Sequence, residues 1–325
     1  MSEPVLTVRR LSQHFPLEHR TLDRLRRRPR PVLRAVDGVD LVVGRSETVG
    51  LVGESGCGKS TLGRAIVGLY EPTAGEVLFG TEVLAAKRTR EQRRHVQMVF
   101  QDPFSSLNPR MTVGQILREL LRLHKMVPPA RLDARCRELV HLVGLPEHAL
   151  ASYPRQFSGG QRQRIGIARA LALEPQVLVA DEPVSALDVS IQAQVINLMM
   201  DLQKQKGLSY LFIAHDLAVV EHISHRVAVM YLGRIVEHAY KRDLFLSPKH
   251  PYTEALLSAV PVPNPRLKRQ KQILQGDVPS PMRPPPGCPF HTRCPKVMER
   301  CRVDVPRLAE LAQGHFVSCH LYPGS

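Results

Sequence analysis

The chain has 325 residues, of which 43% are hydrophobic and 23% charged, so it can bury one sizeable core with a smaller appendage. No apolar run approaches the roughly 18 residues of a membrane-spanning helix, and residues 1–4 show no signal-peptide pattern, which together predict a soluble chain of the cytoplasm. The formal net charge of +15 is compatible with nucleic acid or anionic lipid as partners, because both carry negative charge.

An arginine-rich segment separates the first two predicted strands. It contains Arg24, Arg26, Arg27, Arg28 and Arg30 among prolines. A solvated insertion is the favoured interpretation, since arginines are frequent along the whole chain. Contact with lipid headgroups and binding of nucleic acid are the alternatives.

A glycine-rich loop follows the next predicted strand. Residues 47–52 are predicted to form a buried strand and residues 60–67 a helix, so the loop lies at a strand-to-helix turn. Its pattern, G-x-x-x-x-G-K-S/T, is typical of phosphate-binding loops, in which glycines let backbone N–H groups surround an anion. Lys59 is predicted to reach the β- and γ-phosphates, and the Ser60 hydroxyl to bind Mg²⁺. The motif comprises Gly53, Glu54, Ser55, Gly56, Cys57, Gly58, Lys59, Ser60 and Thr61.

A predicted helical region lies at about residues 103–172, between the parts of the chain that are predicted to form a sheet. Residues 113–123 and 130–140 have apolar side chains at helical spacing, and residues 158–161 read Ser-Gly-Gly-Gln at the start of a further predicted helix. Most leucines on these amphipathic faces are expected to pack in an ordinary core.

Two acidic residues follow the next predicted strand. The apolar run 177–180 is typical of a central parallel strand that is buried on both faces, and Asp181 and Glu182 come directly after it. Adjacent acids are often a solvated turn, but the Asp-Glu-Pro sequence and the later residues 185–188 favour a functional pair.

The phosphate loop, the Ser-Gly-Gly-Gln segment and the Asp-Glu pair occur together in ABC-type ATPases, and the chain resembles an ABC transporter ATP-binding subunit. The resemblance implies an α/β P-loop NTPase fold with a RecA-like core and a helical subdomain, which binds ATP and Mg²⁺. It implies that Asp181 holds Mg²⁺ and that Glu182 is the general base. It also implies that Gln101 contacts Mg²⁺ and water and that His215 contacts the γ-phosphate.

By the same resemblance, the Ser-Gly-Gly-Gln segment reaches across a dimer interface to the γ-phosphate bound by the opposite subunit. One chain then holds two half-sites, so the protein is expected to pair before it hydrolyses ATP. Asp188 is expected near that interface. Phe15 is the favoured residue for stacking on adenine, with His14 as the alternative. The segment comprises Ser158, Gly159, Gly160 and Gln161.

The composition changes beyond about residue 240. Prolines cluster at residues 261–265 and 279–286, and Cys288, Cys294, Cys301 and Cys319 are separated by five, six and seventeen residues. The cytosol disfavours disulfides, so these cysteines are predicted to be metal ligands or free thiols. The C-x-x-C pairs common in zinc sites are absent, which leaves an iron–sulfur cluster, zinc and unligated thiols as interpretations. Cys57 and Cys136 are expected to be packing residues.

This C-terminal segment narrows the resemblance to the oligopeptide/dipeptide importer ATP-binding subunits. Residues 14–16, the basic insertion and the cysteine within the phosphate loop are similar to the second of the two ATPases that such importers use. The resemblance implies a nucleotide-binding domain at residues 1–240, a C-terminal extension at residues 241–325, and a 4Fe–4S cluster in that extension.

The implied partners are a second ABC ATPase in a heterodimer, two transmembrane permease subunits and, through them, an extracytoplasmic substrate-binding protein. The expected location is the cytoplasmic face of the cell membrane, and nucleic acid is not an expected partner. Importers of nickel or another small solute remain an alternative, as does a soluble ABC ATPase that acts on nucleic acid or the ribosome.

Overall fold

The fold is built on two β-sheets. The computed structural model describes residues 3–17, 30–102, 106–259 and 274–324. The strands are β1 (Pro4–Pro16), β2 (Val32–Gly44), β3 (Thr48–Val52), β4 (Ala74–Phe79), β5 (Glu82–Val83), β6 (Val96–Val99), β7 (Val177–Asp181), β8 (Ser209–Ile213), β9 (Arg226–Tyr231), β10 (Arg234–Tyr240), β11 (Ala309–Ala312) and β12 (His315–Val317). The smaller sheet is antiparallel, in the order β2-β1-β4-β5. The larger sheet has the order β11-β12-β10-β9-β3-β8-β7-β6.

Five neighbouring strands of the larger sheet, β9-β3-β8-β7-β6, are parallel. Every residue of β3, β7 and β8 is buried, which explains their nearly continuous apolar sequences. The strands predicted at residues 47–52 and 177–180 are confirmed, with boundaries within one residue. Because these strands are parallel, the loops at their carboxyl ends lie along one edge of the sheet.

Helices cover the sheet and form a region of their own. They are α1 (Lys59–Val67), α2 (Arg90–His95), α3 (Val113–Leu123), α4 (Leu132–Leu142), α5 (Gly159–Leu171), α6 (Val189–Lys206), α7 (Leu217–Ile223), α8 (Lys241–Leu246), α9 (Pro251–Ser258) and α10 (Glu299–Val303). The helix predicted at residues 113–123 is α3, and its bounds agree with the prediction. The helix predicted at 130–140 begins later, because Pro128 is extended and Pro129–Arg131 form a tighter 3-10 turn before α4.

The helical region between β6 and β7 contains α3, α4 and α5. Helix α3 begins at a capping box in which Thr112 Oγ accepts a hydrogen bond from the Gln115 backbone N–H at 3.3 Å. Leu117 and Leu121 on α3 are fully buried and belong to the same hydrophobic cluster as Leu139 on α4. The expected subdomain limits of 103 and 172 stay predictions, and residues 103–105 lie outside the described part of the chain.

The C-terminal extension widens the larger sheet. Strand β12 pairs antiparallel with β10, placing Val317 opposite Glu237 and Phe316 opposite His238, and β11 pairs with β12. Backbone hydrogen bonds therefore join the extension to the nucleotide-binding part expected from the sequence. The domain boundary after residue 240 stays a prediction, and the proline cluster at 261–265 lies outside the described residues.

A buried carboxylate reinforces this junction. Glu237 is 0% exposed and accepts hydrogen bonds from His315 Nε2 at 2.7 Å, from the Lys249 backbone N–H at 2.7 Å and from the His250 backbone N–H at 2.9 Å. A buried charge is tolerated only when partners of this kind replace its lost hydration. Glu237 thus joins β10, β12 and the start of α9.

His250 should make the stability of this junction depend on pH. Its Nδ1 accepts a hydrogen bond from the Tyr252 backbone N–H at 3.1 Å, which requires that nitrogen to be unprotonated. Burial lowers the pKa of His250 to about 4, from 6.5 in an unfolded chain. Between those pH values the unfolded state binds more protons, so the free energy of unfolding should fall with falling pH, by up to about 1.4 kcal/mol per pH unit.

Urea unfolding between pH 7 and pH 4.5 measures this dependence. His250→Asn replaces the Nδ1 acceptor with a side-chain oxygen that can accept the same hydrogen bond but cannot titrate, so its free energy of unfolding should change less steeply with pH. An equally steep profile in this variant would contradict the assignment.

Candidate active site

The glycine-rich loop connects β3 to α1, as predicted. Gly53 has φ 153°, and a Cβ there would lie 2.2 Å from the Met230 carbonyl oxygen. Gly58 has φ 111°, and a Cβ there would lie 2.1 Å from the Ala35 carbonyl oxygen. Side chains are therefore excluded at both ends of the loop. No side chain caps the first turn of α1, so its backbone N–H groups are available to an anion.

Lys59 places a buried positive charge over this loop. The residue is 4% exposed, and Nζ donates hydrogen bonds to the carbonyl oxygens of Gly53 at 2.7 Å and Glu54 at 3.0 Å. Carbonyl dipoles orient the ammonium group without neutralising it. The loop therefore keeps a positive centre that favours a bound anion such as phosphate.

Asp181 and Ser60 form a site that fits a magnesium ion. Ser60 Oγ donates to Asp181 Oδ1 at 2.7 Å, and the buried Asp181 Oδ2 has no hydrogen-bond partner among the described residues. Burial raises the pKa of Asp181. An unpaired carboxylate oxygen beside a hydroxyl is a donor set that Mg²⁺ prefers. A cation here would offset the cost of burying the carboxylate.

Two predicted site residues converge on one carboxylate oxygen of a third. Glu182 Oε2 accepts a hydrogen bond from Gln101 Nε2 at 3.0 Å and lies 3.2 Å from His215 Nδ1. Glu182 has φ 44°, a left-handed conformation that non-glycine residues rarely adopt, and its backbone N–H donates to the Ile213 carbonyl at 2.9 Å. The end of β8 thus holds Glu182 in a strained position.

A small cavity adjoins this cluster. Its volume is about 40 Å³, and its lining includes Glu182, Ser185 and His215. A cavity of this size with several polar side chains in its lining can hold a water molecule. The carboxylate of Glu182 is therefore next to a space in which it could polarise a water.

Phe15 and His14 lie near the end of β1 and differ in their surroundings. The Phe15 ring meets Tyr70 edge to face, with centroids 5.3 Å apart. His14 Nε2 lies 3.3 Å from Asp37 Oδ1, and Arg234 also pairs with Asp37, at 2.7 Å. The imidazole of His14 is thus engaged with a carboxylate, which favours Phe15 for stacking. The adenine assignment stays a prediction.

The Ser-Gly-Gly-Gln segment forms the start of α5. Ser158 is the N-cap, and its side chain and that of Gln161 form a reciprocal capping box, with distances of 3.3 and 3.0 Å. Ser158 and Gly159 are exposed, whereas a Cβ on the buried Gly160 would lie 2.3 Å from Ile191 Cγ2. Asp188 is the N-cap of α6, to which Ile191 belongs. The exposed part of the segment can therefore meet a molecule from outside the chain.

Two residues that hold the glycine-rich loop in place could not be predicted from the sequence. Tyr252 Oη accepts a hydrogen bond from the Glu54 backbone N–H at 2.9 Å. The Arg293 guanidinium pairs with the Glu54 carboxylate at 2.7 Å. Both come from parts of the chain after residue 240, and no local pattern in the sequence links them to the loop.

The four C-terminal cysteines are neighbours. The Cys288 backbone N–H donates to the Cys301 carbonyl at 2.8 Å. Burial, together with the charges of the nearby Cys301, Cys319 and Cys294, raises the pKa of Cys288 to about 12. Burial likewise raises the pKa of Cys319 to about 11. In the part of the chain that the structure describes, no group of three or more His, Cys, Asp or Glu side chains is arranged to hold a metal ion.

Two other expectations concern the surface. Of the arginine-rich insertion only Arg30 is described, and it is exposed; Arg24, Arg26, Arg27 and Arg28 lie outside the described residues. Within the described ranges, no helix has the length and apolar character needed to cross a membrane.

Known proteins resemble the chain over nearly its whole length. Residues 36–185 match the family model "ABC transporter", and residues 236–301 match "Oligopeptide/dipeptide transporter, C-terminal region". A putative peptide import ATP-binding protein of Brucella abortus is 53% identical over 97% of each chain. The oligopeptide transport ATP-binding protein AppF of Bacillus subtilis is 51% identical over 98% of each chain.

Solved structures resemble the chain over most of its length. A dimeric bacterial ABC transporter cassette is 26% identical, with a TM-score of 0.62, over 73% of this chain and 99% of that one.

Glu182→Gln should retain ATP binding but slow ATP hydrolysis by roughly 10² or more, because an amide cannot accept the proton of an attacking water. Lys59→Ala should weaken ATP binding itself. Phosphate release and calorimetric ATP binding, both with Mg²⁺ present, measure the two effects. Glu91→Gln, on an exposed position of α2, is the matched control and should behave as the parent. Parental hydrolysis by Glu182→Gln would show that another group is the base.

Proposed function

The chain belongs to the ABC transporter family of ATP-binding subunits, and we propose that it hydrolyses ATP to power the import of peptides. The observation that carries the proposal is the match of residues 236–301 to the C-terminal region of oligopeptide/dipeptide transporters, in a chain that also has the ABC transporter match. Relatives named for peptide import and oligopeptide transport support the same class of substrate.

ATP would bind with its β- and γ-phosphates in the loop between β3 and α1. Lys59 supplies the positive charge, and the first turn of α1 supplies backbone N–H donors. Ser60 and Asp181 would hold Mg²⁺, which neutralises phosphate charge and aligns the phosphates when it is bound. Phe15 would stack on the adenine ring.

Hydrolysis would proceed at the cluster around Glu182. The carboxylate accepts a proton from water as the water oxygen attacks the γ-phosphorus, and the bond from that phosphorus to the bridging oxygen breaks, giving ADP and phosphate. Gln101 and His215 hold Glu182 Oε2 in place at 3.0 and 3.2 Å. His215 is also the proposed contact to the γ-phosphate.

The active unit would contain two ATP-binding chains. Ser158 and Gly159 are exposed at the start of α5, where a second chain could reach them, and a similar cassette was solved as a dimer. The exposed segment would close over the phosphates held by the opposite chain, with Asp188 near the contact. The similarity of the sequence to the second ATPase of importer pairs supports a heterodimer.

Membrane partners would supply the transport path. Two permease subunits would dock on the helical region, where a groove along α3 is lined by residues that include Gln115, Arg118 and Arg122. The chain would then lie on the cytoplasmic face of the membrane, and a substrate-binding protein would act from the other side. The basic insertion at residues 24–30 has no assigned part in this arrangement.

The C-terminal thiols would hold a 4Fe–4S cluster with a structural role. Support comes from the donor chemistry, since four neighbouring thiols can ligate such a cluster. The described side chains do not form a ready ligand group, so binding would require them to rearrange. No step of ATP hydrolysis passes through the cluster. Zinc and unligated thiols are the competing states of Cys288, Cys294, Cys301 and Cys319.

Metal analysis of anaerobically purified protein decides among these states. Iron, acid-labile sulfide and a broad visible absorbance are expected, and all three should disappear when the four cysteines are replaced by serine. Cys136→Ser, which changes a buried cysteine of α4, is the control and should leave the iron content unchanged. Zinc without sulfide, or the absence of any metal, would overturn the cluster.

Uptake of labelled dipeptides and oligopeptides into membrane vesicles tests the transport proposal. Vesicles with both permeases, the binding protein, this chain and its partner ATPase should accumulate peptide only with ATP, and Glu182→Gln should abolish uptake. Omitting the partner ATPase should also abolish uptake if the unit is a heterodimer. Uptake of nickel but not peptide would select the alternative substrate, and ATP hydrolysis independent of the permeases would favour a non-transport ATPase.

A further inference from the structure

One ion pair ties the phosphate loop to the C-terminal extension. The Arg293 guanidinium donates to both carboxylate oxygens of Glu54, from Nη1 to Oε2 at 2.7 Å and from Nη2 to Oε1 at 3.0 Å. The Arg293 side chain is 8% exposed and the Glu54 side chain 26%. Two parallel, charge-assisted hydrogen bonds fix the orientation of both groups as well as their charges.

The backbone of Glu54 is fixed as well. Its N–H donates to Tyr252 Oη at 2.9 Å, and its carbonyl accepts from Lys59 Nζ at 3.0 Å. The buried ring of Phe290 packs 5.4 Å from the Tyr252 ring and brings the segment containing Arg293 against the loop. A displacement of Glu54 would therefore move one of the acceptors that orient the Lys59 ammonium group.

The carboxylate of Glu54 lies in a loop that must accept negatively charged phosphates. Burial raises the pKa of the Cys57 thiol, the nearby Lys59 charge lowers it, and the Glu54 charge raises it. The Cys57 backbone N–H also donates to the Glu54 carbonyl at 3.3 Å, so the Glu54 charge lies close to the middle of the loop. Without a counter-charge it would oppose a polyphosphate, because like charges repel.

We propose that Arg293 is a positioning residue for bound ATP, which cancels the charge of Glu54 and holds the loop in the shape that accepts the phosphates. The proposal rests on the function proposed above, in which this loop binds ATP. Arg293 acts through Glu54 and has no contact of its own with the nucleotide. The C-terminal extension thereby takes part in ATP binding.

Arg293→Gln leaves the Glu54 charge uncancelled. The dissociation constant of ATP with Mg²⁺ should rise on the order of tenfold, and turnover at saturating ATP should change much less. The loss of affinity should shrink at high salt, because salt screens the partly exposed carboxylate. Calorimetric titration of the full chain at low and high salt, together with the KM and kcat of ATP hydrolysis, measures these effects. A parental dissociation constant in Arg293→Gln would overturn the proposal.

A double variant distinguishes an effect of the Glu54 charge on ATP binding from an effect on folding. The double variant Arg293→Gln/Glu54→Gln has no uncancelled charge at this position. Its affinity for ATP should therefore regain most of the difference between Arg293→Gln and the parent. Arg293→Lys, which restores a positive charge without the two parallel hydrogen bonds, should recover part of it. Equal affinities in the single and double variants would show that Arg293 does not act through the Glu54 charge.

Lys296→Gln is the matched control. Lys296 lies on the same segment and pairs with Glu254 on α9 at 2.8 Å, in an ion pair that does not involve the loop. The Lys296→Gln variant should bind ATP as the parent does. A loss of ATP affinity equal to that of Arg293→Gln would overturn the proposal, because it would show that any disturbance of this segment weakens binding. Lys59→Ala in the same assay tests the premise, because unchanged affinity there would mean that the loop is not the ATP site.

Discussion

The hydrogen bond from Ser60 Oγ to Asp181 Oδ1 joins the first turn of α1 to the end of β7, across 121 residues of sequence. It can form because β3, β8 and β7 are neighbouring parallel strands whose carboxyl ends share one edge of the sheet. Once Asp181 is fixed, Glu182 follows in the chain, and the end of β8 holds its backbone. The geometry of the whole site thus depends on the register of three buried strands.

Residues that belong to local motifs could be predicted from the sequence. The loop at 53–61 combines a glycine pattern with a flanking strand and helix, and the structure has the expected turn there. Asp181 and Glu182 follow a continuous apolar run, which only a strand buried on both faces requires. The family resemblance added Gln101 and His215, and the structure brings both within hydrogen-bond distance of Glu182.

Contacts between distant parts of the chain could not be predicted in this way. Strands β11 and β12 are three or four residues long, too short for a clear periodicity, and they become recognisable only when paired with β10. Glu237 looks like an ordinary polar residue of a strand, yet it is a buried acceptor of three hydrogen bonds. Arginines are so frequent in this chain that nothing in the sequence distinguishes Arg293 from the others.

The separation of Arg293 from Glu54 has a consequence for how the protein is made. The two residues are 239 positions apart, and a ribosome adding about 5–20 residues per second needs roughly 10–50 seconds to pass from one to the other. During that time the newly made loop carries the carboxylate of Glu54 without its counter-charge. On the proposed role of Arg293, the nascent chain would acquire its full affinity for nucleotide only near the end of translation, and a prematurely terminated product that lacks Arg293 would compete poorly for ATP.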